Sequence, residues 1–138
     1  MSSASLALQK ALRTALTDDS ALGALVGDDA ILDRHGRPET FPVVLIGEDQ
    51  EISENLTPPR SEITVFSTLH VWDREPGFAS VKNIAGAIRD VVQAGLGALD
   101  APFRLLDVTF QSARFLRDPD GETSHAVLTT EAIIEEDG

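Results

Sequence analysis

The pattern of apolar positions changes period once within residues 62–96. Apolar and polar residues alternate from 62 to 72, and apolar residues then recur at spacings of three and four from 81 to 96. Alternation predicts a strand with one buried face, and the longer period predicts an amphipathic helix. Only the polar turn residues 73–77 separate the two patterns. We therefore predict a strand that leads directly into a helix packed on its own sheet, with no room between them for a substrate cleft.

The rest of the pattern predicts two more helices and three more strands. The helices are expected at 3–17 and 21–26, and the strands at 41–52, 103–117 and 123–134. Asp19 and Gly27 are a start and a stop signal for the second helix. Residues 30–32 form a candidate short extended piece. Residues 53–61 contain two consecutive prolines, which predict a long loop between antiparallel strands.

This order of elements predicts an α+β fold. We expect a four-stranded, largely antiparallel sheet with helices packed on one face. The length of 138 residues fits one domain, so residues 1–138 are interpreted as a single unit.

The second face of such a sheet has no helix left to cover it. Side chains two positions apart in a strand share a face, which places Phe66, His70 and Trp72 together. Leu69 and Val71 then point to the helices. We predict that Phe66, His70 and Trp72 form a subunit interface, because exposed aromatic patches mark contact sites. The alternative is a few half-exposed aromatics of the kind common in antiparallel sheets.

The net charge of −12 is the strongest signal in the composition. The chain has 11 basic residues against 23 acidic ones, and the basic residues form no stripe. Tight binding to a phosphate backbone needs clustered Lys and Arg, so the chain is expected to repel nucleic acid. The alternative is that the acidity serves solubility alone.

Residues that carry out chemistry are sparse. The chain has no cysteine, and His35, His70 and His125 lack the spacing of metal ligands. The acidic stretch Glu48, Asp49, Glu51 and Glu54 has no following lysine that would complete a nuclease-type site, and no phosphate-binding loop or nucleophile elbow is present. We predict no enzymatic activity, no cofactor and no metal. The sequence also has no apolar run long enough for a membrane span and no leader, which predicts synthesis in the cytoplasm and no membrane partner.

Four segments together resemble the tail-terminator (tail-completion) proteins of tailed bacteriophages and gene transfer agents. They are Phe41-Pro-Val-Val-Leu-Ile-Gly-Glu-Asp, Thr68-Leu-His-Val-Trp-Asp-Arg, Lys82-x-Ile-Ala-x-Ala-Ile and Phe115-x-Arg-Asp-Pro-Asp-Gly-x-Thr-x-His. With the first helix and the segment Leu25-Val-Gly, the resemblance spans nearly the whole chain. Their order and spacing carry the likeness, and no single segment is diagnostic.

The resemblance implies a ring, expected to be a hexamer, at the head-proximal end of a tail tube. Such a ring stops tube growth and joins the tail to the head connector. The implied partners are other copies of the chain, the tail tube protein and the connector or stopper protein, while DNA passes through the lumen without specific binding. Glu48, Asp49, Glu51 and Glu54 are then expected to face the lumen or an axial partner.

Two other functions fit the sequence less well. A different connector or neck protein belongs to the same structural class. An acidic DNA mimic that inhibits a DNA-binding enzyme belongs to another class, and its charge should be spaced regularly over one face. A small metal-dependent enzyme is the most distant possibility.

Overall fold

The computed structural model describes residues 3–27, 30–33, 38, 40–55 and 61–137. Three helices and five strands lie in these parts of the chain. They are α1 (Ala4–Asp18), α2 (Ser20–Val26), β1 (Ile31–Leu32), β2 (Val43–Asn55), β3 (Ser61–Asp73), α3 (Ala79–Ala94), β4 (Phe103–Arg117) and β5 (Ser124–Glu136). No helix of this described part is long and apolar enough to cross a membrane.

The two N-terminal helices begin at side chains that cap them. The Ser3 hydroxyl accepts a hydrogen bond from the Leu6 amide (3.2 Å), and the Asp19 carboxylate accepts one from the Leu22 amide (2.9 Å). Such caps satisfy amides that have no partner inside the helix. Helix α3 ends where Gly95 takes a φ of 103°, which favours glycine. All three helices lie within two residues of the predicted bounds.

The sheet has five strands in the order β1-β2-β3-β5-β4. The prediction of four strands is therefore wrong, although the sheet is largely antiparallel as predicted. The additional strand is β1, which pairs parallel with β2 through Ile31–Val44 and Leu32–Leu45. A two-residue strand is too short to produce an alternating pattern, so only its neighbours in the sheet define it.

The helices pack on one face of the sheet. Helix α3 contacts β3, β4 and β5, and α1 contacts β1, β2 and β3. Leu69 and Val71 of β3 and Leu128 of β5 are fully buried on this face. The facing core side chains of the helices are Leu8, Leu12, Leu16, Ile84 and Ile88. The alternation of β3 thus assigns the helix side of the sheet correctly.

Strands β2 and β3 form a longer hairpin than the sequence predicts. Residues 53–55 belong to β2 and residue 61 to β3, with Asn55 paired to Ser61. The predicted loop 53–61 is therefore wrong at both ends, and residues 56–60 lie outside the described part of the chain. Acidic residues from Glu48 onward obscured the alternation, because charge on both sides of a strand gives no apolar period.

Two irregularities divide β4 into short regular segments. The register with β5 shifts between Leu105 and Asp107 and again between Phe110 and Ser112. Val108 and Phe110 therefore face the helices, whereas Leu106 and Leu116 are 45 % and 38 % exposed. Each extra residue reverses the alternation that follows it. Strict alternation along residues 103–117 predicts one face for Leu106, Val108, Phe110 and Leu116, and this prediction is wrong for Leu106 and Leu116 because of the extra residues.

The last strand continues beyond its predicted end at residue 134. Glu135 and Glu136 belong to β5, opposite Arg104 and Phe103 of β4. The Arg104 guanidinium donates a hydrogen bond to the Glu135 carboxylate. The polar sequence of residues 135–138 predicts a tail outside the sheet, and this is wrong for residues 135 and 136, whose partners on β4 are more than thirty residues away in the sequence.

We expect Leu69→Ala to lower the free energy of unfolding by about 2–5 kcal/mol, the usual cost of emptying a fully buried leucine site. The matched control is Leu106→Ala, which removes the same atoms from an exposed bulge and should cost no more than about 0.5 kcal/mol. Urea unfolding followed by circular dichroism measures both changes. Equal losses would show that the helix-covered face is not the core.

Candidate interaction surface on the open sheet face

The face of the sheet opposite the helices, called the open face here, carries the even-numbered residues of β3. The pairing of β3 with β5 sets Phe66 opposite Glu131, His70 opposite Val127 and Trp72 opposite His125. The prediction that Phe66, His70 and Trp72 share this face is consistent with that register, since strand side chains alternate between faces. Each of the three is partly exposed.

Two histidines and a tryptophan form one cluster at one end of the open face. His70 Nδ1 lies 2.8 Å from His125 Nε2, and His70 Nε2 lies 3.1 Å from Glu48 Oε1. The rings of Trp72 and His125 stack with centroids 3.8 Å apart and planes 9° apart. The open face is therefore ordered here by contacts within the subunit, along the line Glu48, His70, His125 and Trp72.

The contacts of His70 indicate which ring nitrogens of His70 and His125 carry hydrogen. A neutral imidazole carries one donor and one acceptor nitrogen. If His70 Nε2 donates its hydrogen to the Glu48 carboxylate, His70 Nδ1 is the acceptor and His125 Nε2 is the donor. Two imidazolium rings cannot share this bond, because two N–H groups would face each other.

Gly47 allows the His70 ring to lie against the backbone of β2. A Cβ atom at Gly47 would be 2.7 Å from His70 Cδ2, 2.9 Å from its Nε2 and 3.1 Å from the Thr68 carbonyl oxygen. Atoms do not approach that closely without displacement, and here one of the neighbours is backbone. A side chain at position 47 would therefore shift the histidine pair.

Phe66 lies apart from this cluster. It is four residues from His70 along β3, which corresponds to about 13 Å at the rise of a strand. Its partners across the sheet are Gln50 on β2 and Glu131 on β5. The predicted interface trio is thus divided: His70 and Trp72 are joined through His125, and Phe66 stands among polar neighbours.

Two aliphatic side chains of the open face are buried although no helix covers them. Val43 and Leu45 are 0 % and 2 % exposed, and they pair with Trp72 and His70 respectively. At the entry to β2, the Arg74 guanidinium lies 4.7 Å from the centroid of the Phe41 ring. Side chains of the subunit itself therefore pack together at the His70 and Trp72 end of the open face.

The predicted acidic stretch is divided between the two faces of the sheet. Glu48 contacts His70 on the open face, and Glu54 shares that face because its β3 partner is Glu62. Asp49 pairs with Ser67 and Glu51 with Val65, both of which are buried on the helix side. The structure therefore does not bring the four carboxylates into one patch.

The two carboxylates on the helix side are held by contacts within the subunit. The Glu51 carboxylate accepts a hydrogen bond from the Ser5 amide (2.9 Å) in the first turn of α1. This position is favourable for an anion, because the start of a helix carries partial positive charge. Burial raises the pKa of Asp49, nearby Glu51, Asp33 and Glu48 raise it further, and a hydrogen bond with Ser67 opposes the change.

The protonation of His125 is also set by its surroundings. Burial, and then repulsion from His70, lower the pKa of His125 from 6.5 to about 4, while Asp118 acts in the opposite direction. His125 is therefore neutral near pH 7. The residues that the structure describes contain no group of three or more His, Cys, Asp or Glu side chains placed to hold a metal ion. His35 lies outside these residues.

Sequence reasoning missed the pairing of His70 with His125. The two residues are 55 positions apart, and they meet only because β5 is inserted between β3 and β4. Hydrophobic alternation identifies strands and faces but does not give strand order. The one available signal was that His70 lies near the end of its strand and His125 near the start of its own, each close to a turn.

The family of the chain follows from a comparison with known protein families. The model of the tail completion protein gp17 family matches residues 10–135. The chain belongs to this family. The resemblance found in the sequence is confirmed, and the protein is a structural component of a phage-type tail and not an enzyme.

Two solved structures resemble this tail completion protein along nearly its whole length. A chain from the virion of a native gene transfer agent particle is 26 % identical, with a TM-score of 0.83, and the alignment covers 98 % of this chain and 99 % of that one. The gp17 protein of bacteriophage SPP1 is 22 % identical, with a TM-score of 0.61 and coverage of 94 % and 89 %, and it shows the same fold. No protein with a curated description matches the chain.

We expect the pKa of His125 to be about 4, measured by NMR titration of its ring protons. Because this pKa is below the unfolded value, the unfolded state binds the proton more readily. The contribution of neutral His125 to stability is present above pH 6.5 and is lost as the pH falls toward 4. Relative to His125→Gln, the wild-type protein should therefore lose stability between pH 7 and pH 4.

The variant His70→Gln provides a control for the cause. Removing His70 removes the repulsion, so the pKa of His125 should rise, but only in part, because burial is the larger influence. An unshifted His125 pKa near 6.5 in the wild-type protein would contradict the packed arrangement of the pair.

Proposed function

We propose that the chain forms a ring at the head-proximal end of the tail, where it ends tube growth and joins the tail to the head connector. The observation that carries this proposal is the end-to-end likeness to a chain of the gene transfer agent virion, at a TM-score of 0.83. Its partners would be further copies of itself, the tail tube protein and the connector or stopper protein. A ring of six is the expected stoichiometry.

The charge of the subunit suits a channel for DNA. With a net charge of −12, a ring of several copies would present a strongly negative surface. Glu48 and Glu54 lie on the open face, where Glu62 and Glu131 add further negative charge. We propose that this face lines the lumen, because like charge prevents a polyanion from adhering to the wall.

The proposed contacts of the open face differ from one end to the other. Phe66 has no aromatic partner in the described residues and is proposed to contact a neighbouring subunit. His70 and Trp72 contact the same neighbour only at their exposed edges, since His125 occupies the space between them. Asp49 and Glu51, on the other side of the strand, are proposed to lie nearer an axial partner than the lumen.

The arrangement of charge argues against a DNA mimic. Such an inhibitor needs its carboxylates on one surface at a regular spacing that imitates phosphates. Here the four acidic residues of β2 are divided between the two faces, two on each, and the Glu51 carboxylate accepts a hydrogen bond from the start of α1. A different connector or neck role remains the alternative, and it would place the ring one step closer to the head.

Deletion of the gene from the particle's genome tests the proposal. We expect unjoined heads and tails in electron micrographs, with tails of irregular length, because nothing would stop the tube or join it to the head. Supplying the chain in trans should restore joined particles. Labelled protein should be found at the head-proximal end of isolated tails, in several copies for each tail.

Two results would contradict parts of this proposal. Tails of normal length that fail to join would assign the chain to a connector role. A single copy for each tail, or a location at the distal end, would remove the ring altogether.

The paired substitutions Glu48→Lys with Glu54→Lys test the lumen assignment. They should reduce the DNA delivered for each joined particle, because lysines on the inner wall would bind the phosphates of the passing DNA. The fold should persist, since Glu48 is exposed and its hydrogen bond with His70 at the surface is worth about 1 kcal/mol. Quantitative PCR of delivered DNA against particle counts measures the effect.

The matched control reverses the same number of charges on the opposite face, as Asp49→Lys with Glu51→Lys. This pair should lower the free energy of unfolding by about 1–3 kcal/mol, because it breaks the bonds to Ser67 and to the Ser5 amide. DNA delivery by the particles that still assemble should be close to normal. Equal delivery defects in both pairs would mean that the open face has no special relation to the DNA path.

A further inference from the structure

Both lateral edges of the sheet include long stretches that no described strand covers. On one side, β1 pairs only with Val44 and Leu45, so the outer edge of β2 from Ile46 to Asn55 has no partner strand in the described chain. On the other side, β4 is the last strand, and its outer edge is likewise unpaired over the range Phe103–Arg117. Unpaired backbone donors and acceptors in such edges readily pair with another strand.

The two edges carry opposite charge. The unpaired part of β2 contains four carboxylates and no basic residue: Glu48, Asp49, Glu51 and Glu54. Strand β4 contains three guanidinium groups and one carboxylate: Arg104, Arg114, Arg117 and Asp107. A pair of β2 edges would oppose like charges, and so would a pair of β4 edges, whereas β2 against β4 is complementary.

The directions of the strands permit this pairing in a ring. Strand β2 is antiparallel to β3, β3 to β5, and β5 to β4, so β2 and β4 of one subunit run in opposite directions. A ring axis that runs close to the strand direction leaves the strand directions unchanged from one copy to the next. Strand β4 of one copy is then antiparallel to β2 of its neighbour. A contact between two different edges is also the head-to-tail type that closes into a ring.

The rows of the sheet align one pair of opposite charges across such a contact, Glu54 with Arg104. Glu54, Glu62, Glu135 and Arg104 occupy one row across β2, β3, β5 and β4. In a closed ring, successive subunits are not displaced along the ring axis. If the rows run level around it, the Arg104 end of one subunit meets the Glu54 end of the next, and Gln50 meets Thr109 in a row nearer the middle of the strands.

We propose that the β2 edge of one copy pairs antiparallel with the β4 edge of the next copy, so that the sheets continue around the ring. This inference rests on the ring of the proposed function and names the surfaces that build it. The bulges of β4 divide the contact into short ladders, the central one at residues 107–110. Successive sheets turn toward each other at each joint, which brings Phe66, one strand in from the β2 edge, close to the neighbour.

Engineered disulfides test the pairing without background, because the chain has no cysteine. The double variant Gln50→Cys with Thr109→Cys places one thiol on each edge in the same row, and both positions are exposed. Mild oxidation of assembled tails should give a ladder of linked copies on non-reducing gels, which collapses to monomer with reductant. The control Gln93→Cys with Thr109→Cys keeps one edge thiol and moves the other to an exposed position on α3, and it should give no ladder.

The single variants decide between edge arrangements. Gln50→Cys alone and Thr109→Cys alone should remain unlinked, while tails assembled from a mixture of the two should contain linked pairs and no longer ladder. Linkage in either single variant would show that like edges meet and would overturn the proposal.

The failure of this inference can be told apart from failure of the proposed function. Several copies at the head-proximal end of the tail, with no linkage in the double variant or in the mixture, would leave the ring intact and overturn the edge pairing. A single copy for each tail would overturn both.

Discussion

The pairing of β3 with β5 is the constraint on which the rest of the structure depends. The ladder runs through every residue of β3, from Ser61 opposite Glu136 to Asp73 opposite Ser124. It places two fully buried leucines, Leu69 and Leu128, opposite each other beneath the helices. The same register brings His125 against Trp72 and His70 on the other face. A shift of one residue would exchange the two faces, so core and open face are specified together.

Local periodicity identified most of the fold, and most of the parts it missed depend on how one strand pairs with another. The bounds of β4 were predicted to the residue because glycine and proline residues mark both of its ends. Residues 30–32 were predicted to be extended, but their pairing in the sheet was not predicted because two residues have no period. The face of Leu116 was predicted wrongly because bulges count residues against a partner strand, which the sequence does not name. The pairing of His125 with His70 was not predicted for a related reason, since β5 pairs with β3 as well as with its hairpin neighbour β4.

The four acidic residues of β2 have different roles on the two faces of the sheet. Their clustering in sequence suggested one negative patch, yet alternation along β2 sends Glu48 and Glu54 to one side and Asp49 and Glu51 to the other. The carboxylates on the helix side support the subunit, through the Ser5 amide and Ser67. Those on the open face set its electrostatic potential. An interpretation based on proximity in sequence therefore overestimates the local charge density. It also overlooks the structural role of Asp49 and Glu51.

The hydrophobic core is buried entirely by side chains of the same subunit. Folding therefore does not require the edges of the sheet to be paired. Helices α1 and α3 bury the apolar side of the sheet, and the described side chains include no buried polar group without a partner. In the proposed ring, association is left to the strand edges, where exposed backbone would supply hydrogen bonds and side-chain charge would select the partner. Like-charged edges disfavour the symmetric dimer that two free copies would otherwise form. In the proposed ring, each subunit would fold alone and pair only with the unlike edge of a neighbour.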